Sequence, residues 1–207
     1  MRTSWRLGIG LLLGAIAWPV VAGDAAQGEA IYRDACANCH GERGQGGKDG
    51  EYPRLAGQYQ AYIERQLANF RDRKRQNKPM IPIFKSGRLQ EEDIAAVAAY
   101  LAALEPPAPG EVKVPEEIEG DMELGLEIYE RDCILCHGPD GRGKPEKDSP
   151  QLVRQYPRYI AKQLSDFRNG ERWHEYQEEM FGEAYPDELD AVIGYVLLLN
   201  HQLKNEE

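Results

Sequence analysis

The amino-acid sequence predicts an all-α protein made of two tandem copies of one helical domain. A shift of 97 positions, as from Gly28 to Gly125, superposes one half of the chain on the other without a gap over a long stretch. Apolar residues recur at helical spacing in both halves, and no segment shows the alternation of a half-buried strand. A proline-rich stretch at residues 105–115 separates the copies and is typical of a semi-rigid linker.

Residues 1–23 are predicted to be a signal peptide. Arg2 and Arg6 precede an apolar run at residues 7–18, and a plausible cleavage point lies near Ala22. A membrane anchor is the alternative, but the run is shorter than the roughly 20 apolar residues that span a bilayer. We therefore expect export to the periplasm and removal of this segment.

The repeat sets the predicted domain boundaries, with a first domain at 24–105, a linker at 106–119 and a second domain at 120–207. Identical pairs under the shift include Gly44/Gly141, Gln58/Gln155, Tyr62/Tyr159, Gln66/Gln163 and Arg75/Arg172. Toward the carboxyl end the shift becomes 95, so that Ala96 pairs with Ala191. The second copy is therefore two residues shorter between these points.

Each copy is predicted to contain three main helices, and the first of them leads into the cysteine pair of that copy. The others are expected near residues 59–71 and 90–104 in the first copy, and the second copy repeats the set near 121–133, 157–168 and 186–199. A helical unit of about 80 to 90 residues has little room for a core, so we expect a cofactor, a metal or disulfides to support it.

The composition indicates a folded, acidic protein. Hydrophobic residues make up 42% of the 207 positions and charged residues 29%, which is ample for a buried core. With 25 basic and 35 acidic residues the formal net charge is -10, so phosphate backbones are not attracted. We expect no nucleic-acid partner.

Each half contains one Cys-x-x-Cys-His motif, and together the motifs use all four cysteines. The residues are Cys36, Cys39 and His40 in the first half, and Cys133, Cys136 and His137 in the second. This spacing is the haem c attachment pattern, in which two thiols bond to the porphyrin and the histidine ligates iron. A zinc site would bring both cysteine pairs together, whereas here they lie at equivalent positions of two separate copies. A thioredoxin-like redox dithiol occurs in a fold of alternating strands and helices, and this sequence shows no strand pattern. The sequence therefore predicts two covalently bound haem c groups.

The sequences at residues 36–41 and 133–138, the Pro-x-Leu after each, and the two Tyr-Ile-x-x-Gln-Leu-x-x-Phe-Arg helices resemble the two-haem periplasmic cytochromes of the cytochrome c4 family. The resemblance covers nearly the whole chain after the leader. It implies two class I cytochrome c domains related by pseudo-twofold symmetry. It also implies transfer of single electrons between respiratory complexes and soluble or membrane-bound acceptors.

The first haem iron is expected to take a methionine as its sixth ligand, because a thioether opposite histidine is the usual pairing and raises the potential. Met80 lies 40 residues after His40, between prolines at 79 and 82. We expect this proline-bracketed segment not to form regular helix, as suits a ligand loop.

The sixth ligand of the second iron is less clear in the sequence. Met80 shifted by 97 falls on Gln177, and shifted by 95 it falls on Glu175, neither of which is a soft ligand. Met180 lies just beyond this window and His174 just before it. We take Met180 as the ligand and His174 as the close alternative, which would give bis-histidine ligation and a lower potential.

These motifs predict an electron carrier without catalytic residues. We expect its partners to be redox proteins, namely a cytochrome bc complex, a terminal oxidase or reductase, or a dehydrogenase. Peripheral association of the protein with a membrane is left as an open alternative. The alternatives are the haem subunit of a sulfur-compound dehydrogenase and a dihaem peroxidase, although a peroxidase needs an open or displaceable iron position.

Overall fold

The computed structural model describes residues 25–108, 121–176 and 186–204, and these contain helices and loops. The first half contains α1 (Ala25–Ala35), α2 (Ala37–His40), α3 (Gln60–Arg71), α4 (Ile81–Lys85) and α5 (Ile94–Ala103). The second half contains α6 (Met122–Ile128), α7 (Ile134–His137), α8 (Pro157–Arg168) and α9 (Pro186–Lys204). Within the described ranges the only β-pairing consists of two isolated bridges, which confirms the all-α prediction.

The segment around Met80 corrects one expectation. Met80 stands directly before α4, and that helix includes Pro82 in its first turn. Because the first helical turn has no intrahelical acceptor for its N–H groups, proline is tolerated there. We expected residues 78–82 to lie outside any helix, but the non-helical segment ends at Met80 and α4 begins at Ile81.

Among the described helices, none is long and apolar enough to cross a membrane.

The first and last helices of each half cross at a glycine. A Cβ atom on Gly28 of α1 would lie 2.1 Å from the carbonyl oxygen of Ala96 on α5. A Cβ atom on Gly125 of α6 would lie 2.2 Å from the carbonyl oxygen of Ala191 on α9. Only glycine allows this approach, so the same crossing forms in both halves. The matched partners confirm that the shift is 97 at the glycines and 95 at the alanines.

Glutamine side chains join the two halves through reciprocal hydrogen bonds. The Arg54 backbone N–H donates to Gln155 Oε1 at 3.0 Å, and Gln155 Nε2 donates to the Arg54 carbonyl at 3.0 Å. Gln58 makes the same pair of bonds with the backbone of Gln151, both at 3.1 Å. Since the shift of 97 exchanges these partners, each bond has a counterpart, which confirms the pseudo-twofold relation.

Two buried arginines complete the interface. Arg75 extends from the first half and donates to Gln163 Oε1 at 2.6 Å and to the Tyr159 hydroxyl at 2.9 Å. Arg172 makes the corresponding bonds in the other direction, to Tyr62 at 2.8 Å and Gln66 at 3.1 Å. Buried guanidinium groups need such partners, because an unsatisfied charged group is costly away from water. The interface is therefore part of the folded structure of both halves.

Replacing Gly28 with alanine should lower the free energy of unfolding by about 2 kcal/mol or more, because the new Cβ forces α1 away from α5. Guanidinium chloride unfolding measured by circular dichroism tests this. Ala30→Ser, at an exposed position of the same helix, should change stability by less than about 0.5 kcal/mol. Helix propensity alone predicts the opposite sign for Gly28→Ala, so a stabilised variant would contradict the proposed crossing.

Replacing Arg172 with methionine keeps much of the side-chain volume but removes the donors to Tyr62 and Gln66. Tyr62 would lose its bond from Arg172, whereas Gln66 would keep its bond from Arg75 at 2.8 Å. The lost charge-assisted bonds should cost about 1.5 to 3 kcal/mol of unfolding free energy. Differential scanning calorimetry of the haem-containing protein measures the loss. The exposed Arg88 provides the control, since Arg88→Met removes the same charge elsewhere. Equal losses in the two variants would show that the interface contributes little.

Candidate haem sites

The two Cys-x-x-Cys-His segments adopt the same local structure. In each, a short helix (α2 or α7) ends at the histidine, and the next glycine turns the chain with a positive φ, 81° at Gly41 and 78° at Gly138. The side chains of His40 and His137 are buried, and the four cysteines are partly buried and free of disulfides. The fold therefore presents two equivalent sets of thiols and imidazole.

A buried tyrosine fixes each segment to the core of its own half. The Tyr32 hydroxyl donates to the Gly41 carbonyl at 2.6 Å, and the Tyr129 hydroxyl donates to the Gly138 carbonyl at 2.7 Å. Both rings are fully buried. The turn after each histidine thus has a rigid support.

Each imidazole is oriented by a proline carbonyl. Nδ1 of His40 lies 3.0 Å from the Pro53 oxygen, and Nδ1 of His137 lies 3.0 Å from the Pro150 oxygen. A carbonyl can only accept, so Nδ1 carries the proton and the Nε2 lone pair is available to a metal. These prolines begin the two Pro-x-Leu segments, and their role as acceptors was not predicted, although each lies 13 residues after its histidine.

Burial keeps both imidazoles in their neutral, ligating form. Desolvation lowers the pKa of His40, and it lowers the pKa of His137 to about 4, with the hydrogen bond from each ring to its proline carbonyl acting in the opposite direction. A neutral imidazole with Nδ1 as donor is the form that binds a metal through Nε2. The two histidines are therefore suited to ligate iron at neutral pH.

The thiol chemistry fits haem attachment better than zinc or dithiol chemistry. Burial raises the pKa of Cys36 and of Cys133 to about 12, whereas zinc ligands and redox dithiols work as thiolates. Across the described parts of the chain, no three histidine, cysteine or acidic side chains are placed to hold one metal ion. The two cysteine pairs thus serve two separate sites, each with the donor set that haem c requires.

Met80 lies in the first half, directly before α4. Its partly buried side chain packs against the apolar core that also contacts Cys36 and Phe84. Its backbone N–H donates to the carbonyl of Asn77 at 3.1 Å, which fixes the turn before α4. This position is compatible with the predicted role of Met80 opposite His40.

Of the two candidates for the second iron, only His174 lies within the described residues; Met180 lies outside them. The His174 ring packs edge-on against Phe167, with 4.8 Å between ring centroids. Its Nδ1 donates to the Glu175 carbonyl, and a charge on His174 would further lower the pKa of His137. His174 is therefore near the second site, and the choice between it and Met180 remains a prediction.

The fold and its two sites define a two-domain c-type cytochrome. The family model for cytochrome c matches residues 25–105 and 122–200. The chain therefore belongs to the cytochrome c family, as a dihaem electron-transfer protein of the cytochrome c4 type with two covalently bound haem c groups. The predictions of family, electron-transfer function and cofactors are confirmed.

Three known proteins illustrate the relationship. The thiosulfate dehydrogenase electron acceptor of Stutzerimonas stutzeri is 35% identical, over 83% of this chain and 85% of its own length. Cytochrome c4 of Pseudomonas aeruginosa is 34% identical, over 78% and 80% respectively. The crystal structure of reduced cytochrome c4 from Pseudomonas stutzeri shares the fold, with a TM-score of 0.71, 23% identity and coverage of 84% of this chain and 97% of that one.

Proposed function

We propose that this chain is a periplasmic carrier of single electrons, with haems attached at Cys36/Cys39 and Cys133/Cys136. The observation that carries the proposal is the pair of buried, neutral imidazoles, each next to two free thiols and each with Nδ1 bonded to a carbonyl. Haem c, when bound, supplies an iron that changes between the ferrous and ferric states.

The residues of the chain hold and enclose this group. Nε2 of His40 and of His137 would ligate the two irons, and the cysteines would form the thioether bonds. Met80 would be the sixth ligand of the first iron, supported by its partly buried position against the apolar core of the first half. Met180 would be the sixth ligand of the second iron, with His174 as the close alternative.

The proposed cellular role follows from the leader and from chemical analogy. The signal-peptide pattern at residues 1–23 supports export to the periplasm. There the carrier would connect respiratory donors and acceptors, such as a cytochrome bc complex and a terminal oxidase or reductase. We assign the chain no catalytic residues, because the side chains at the sites would attach and ligate the haems rather than act on a substrate.

A sulfur-compound dehydrogenase is the second candidate donor. The Stutzerimonas stutzeri relative is named an electron acceptor of thiosulfate dehydrogenase and matches this chain along most of its length. In this version of the proposal the chain serves as the haem partner of such a dehydrogenase, either transiently or as a subunit. Both versions need the same two sites.

Replacing Cys133 and Cys136 together with alanine should leave one covalently bound haem per chain. The mass of the denatured polypeptide, expressed in a host that matures c-type cytochromes, measures the number of haems. The matched control is Cys36→Ala with Cys39→Ala, which should also leave one haem, now in the second half. Two haems on either variant would overturn the assignment of the attachment sites.

Replacing Met80 with alanine should remove the sixth ligand of the first iron and lower its potential. Methionine-ligated ferric haem has a weak near-infrared band, which should fall by about half if Met180 ligates the second iron and disappear if His174 does. Near-infrared absorption and redox titration measure both effects. Met122→Ala is the control, because Met122 is 40% exposed on α6. An unchanged band in Met80→Ala would exclude Met80 as a ligand.

A further inference from the structure

Two buried arginine side chains meet where the halves contact each other. Arg75 and Arg172 are 7% and 9% exposed, and both donate to Gln163 Oε1 at 2.6 Å. Both also donate to Gln66 Oε1, at 2.8 Å from Arg75 and 3.1 Å from Arg172. Because they share two acceptor atoms, the guanidinium groups lie side by side. We call Arg75 and Arg172 the arginine pair.

Within the described residues, the acceptors of the arginine pair are amide oxygens and hydroxyls rather than carboxylates. Besides the two glutamines they are the Tyr159 hydroxyl, 2.9 Å from Arg75, and the Tyr62 hydroxyl, 2.8 Å from Arg172. These groups satisfy the N–H donors but do not cancel the two positive charges. Charges held away from water are weakly screened. The pair is therefore a local source of positive potential in a chain whose formal net charge is -10.

Neighbouring groups respond to this positive potential. Burial alone would raise the pKa of Tyr62, but the charges of Arg172 and Arg75 outweigh burial, so the pKa is lowered. Asp166 is the carboxylate whose charge acts on Arg172, and it is ion-paired with Lys162. The positive charge of the pair therefore extends into its surroundings.

The arginine pair adjoins the proposed ligand segments of both haem sites. Arg75 precedes Met80 by five residues, a length of chain that spans at most about 18 Å. The Arg172 guanidinium lies 4.7 Å from the centroid of the Phe167 ring, and the His174 ring packs against the same phenylalanine. One arginine thus leads toward each site, while their shared acceptors keep the two charges together.

A positive charge near a haem favours the ferrous state, because the ferric iron carries one more positive charge than the ferrous iron. At a separation on the order of 10 Å and an effective dielectric constant of about 20, one unit charge shifts a one-electron equilibrium roughly tenfold. Carboxylates of the haem that bind the pair would change the size of this effect but not its sign. Removing an arginine always makes the surroundings of the iron more negative.

We propose that the arginine pair raises the reduction potentials of both haems together, with each arginine acting on the haem of the opposite half as well as on its own. The two charges belong to the interface rather than to one half, so they favour reduction of both irons without creating a preference between them. The inference rests on the proposed function, since it needs a haem in each half. In this role the arginines act through their charge and do not ligate iron.

Redox titration followed by NMR of the haem methyl groups measures the potential of each haem in the full, haem-containing chain. Arg75→Met and Arg172→Met should each shift both haems about tenfold toward the ferric state, which is about 59 mV for one electron. The shift should change little with salt concentration, because the pair is buried.

Gln163→Glu separates the effect of charge from the effect of stability. The new carboxylate accepts from both arginines in place of the amide, so the unfolding free energy should be kept or raised. Its negative charge should nevertheless lower both potentials about tenfold. This variant retains both arginines, so it tests the proposal even if the arginine variants do not fold.

Two controls complete the test. Tyr62→Phe removes an acceptor of Arg172 from the same interface but no charge, so both potentials should stay within about twofold of the original equilibrium. Arg43→Met removes an exposed charge three residues after His40, which water screens, and should also stay within about twofold. Unchanged potentials in the arginine variants and in Gln163→Glu would show that the pair is only structural. A shift confined to one haem, or an equal shift in Arg43→Met, would also contradict the proposal.

The haem content separates this inference from the function beneath it. All the variants should retain two haems by mass, because none of the replaced side chains is a proposed ligand or attachment site. If the original protein lacked haem at the two cysteine pairs, the proposed function itself would fail. If both haems are present and only the potentials disagree, the role of the arginine pair alone is wrong.

Discussion

The bond between each histidine Nδ1 and a proline carbonyl is the interaction on which the rest of the structure depends. It fixes the tautomer and the ring plane of His40 and His137, and thereby decides which nitrogen faces the cofactor. Tyr32 and Tyr129 donate hydrogen bonds from their hydroxyls to the carbonyl of the glycine that follows each histidine. Each site is thus held by backbone acceptors, whose positions depend on the fold rather than on single side chains.

The repeat is maintained by contacts between the halves as well as by the haem sites. Under the shift of 97, Gln58 exchanges with Gln155 and Arg75 with Arg172, and these residues bond to the opposite half. A pseudo-twofold interface uses the same surface twice, so a residue that serves it in one copy serves it in the other. Identity between the copies therefore reflects two constraints, the cofactor and the interface.

Much of the fold could be predicted from the sequence, because helical periodicity and the repeat depend on local spacing. The prediction at residues 157–168 coincides with α8 (Pro157–Arg168). Periodicity shows which residues share a face, but it does not show what covers that face, so the interface role of Arg75 and Arg172 was missed. Helix α4 was missed because Pro82 suggested a break, although proline fits a first helical turn. The attachment motifs were recognisable because covalent chemistry fixes their spacing.

The two copies differ at positions in and after their haem-attachment segments. Two identical halves would offer incoming electrons two equivalent haems. Here Asn38 is replaced by Leu135 in the second copy, and the glycines at 47 and 50 are replaced by lysines. The sequence that follows α8 also departs from the pattern set by Met80, since the aligned residues Glu175 and Gln177 are not soft ligands. Both differences fall in the second half, one in and after its Cys-x-x-Cys-His segment and the other in the sequence that contains the two candidate ligands. The symmetric interface fixes the relative positions of the halves, so these differences can distinguish the haems without disturbing the fold.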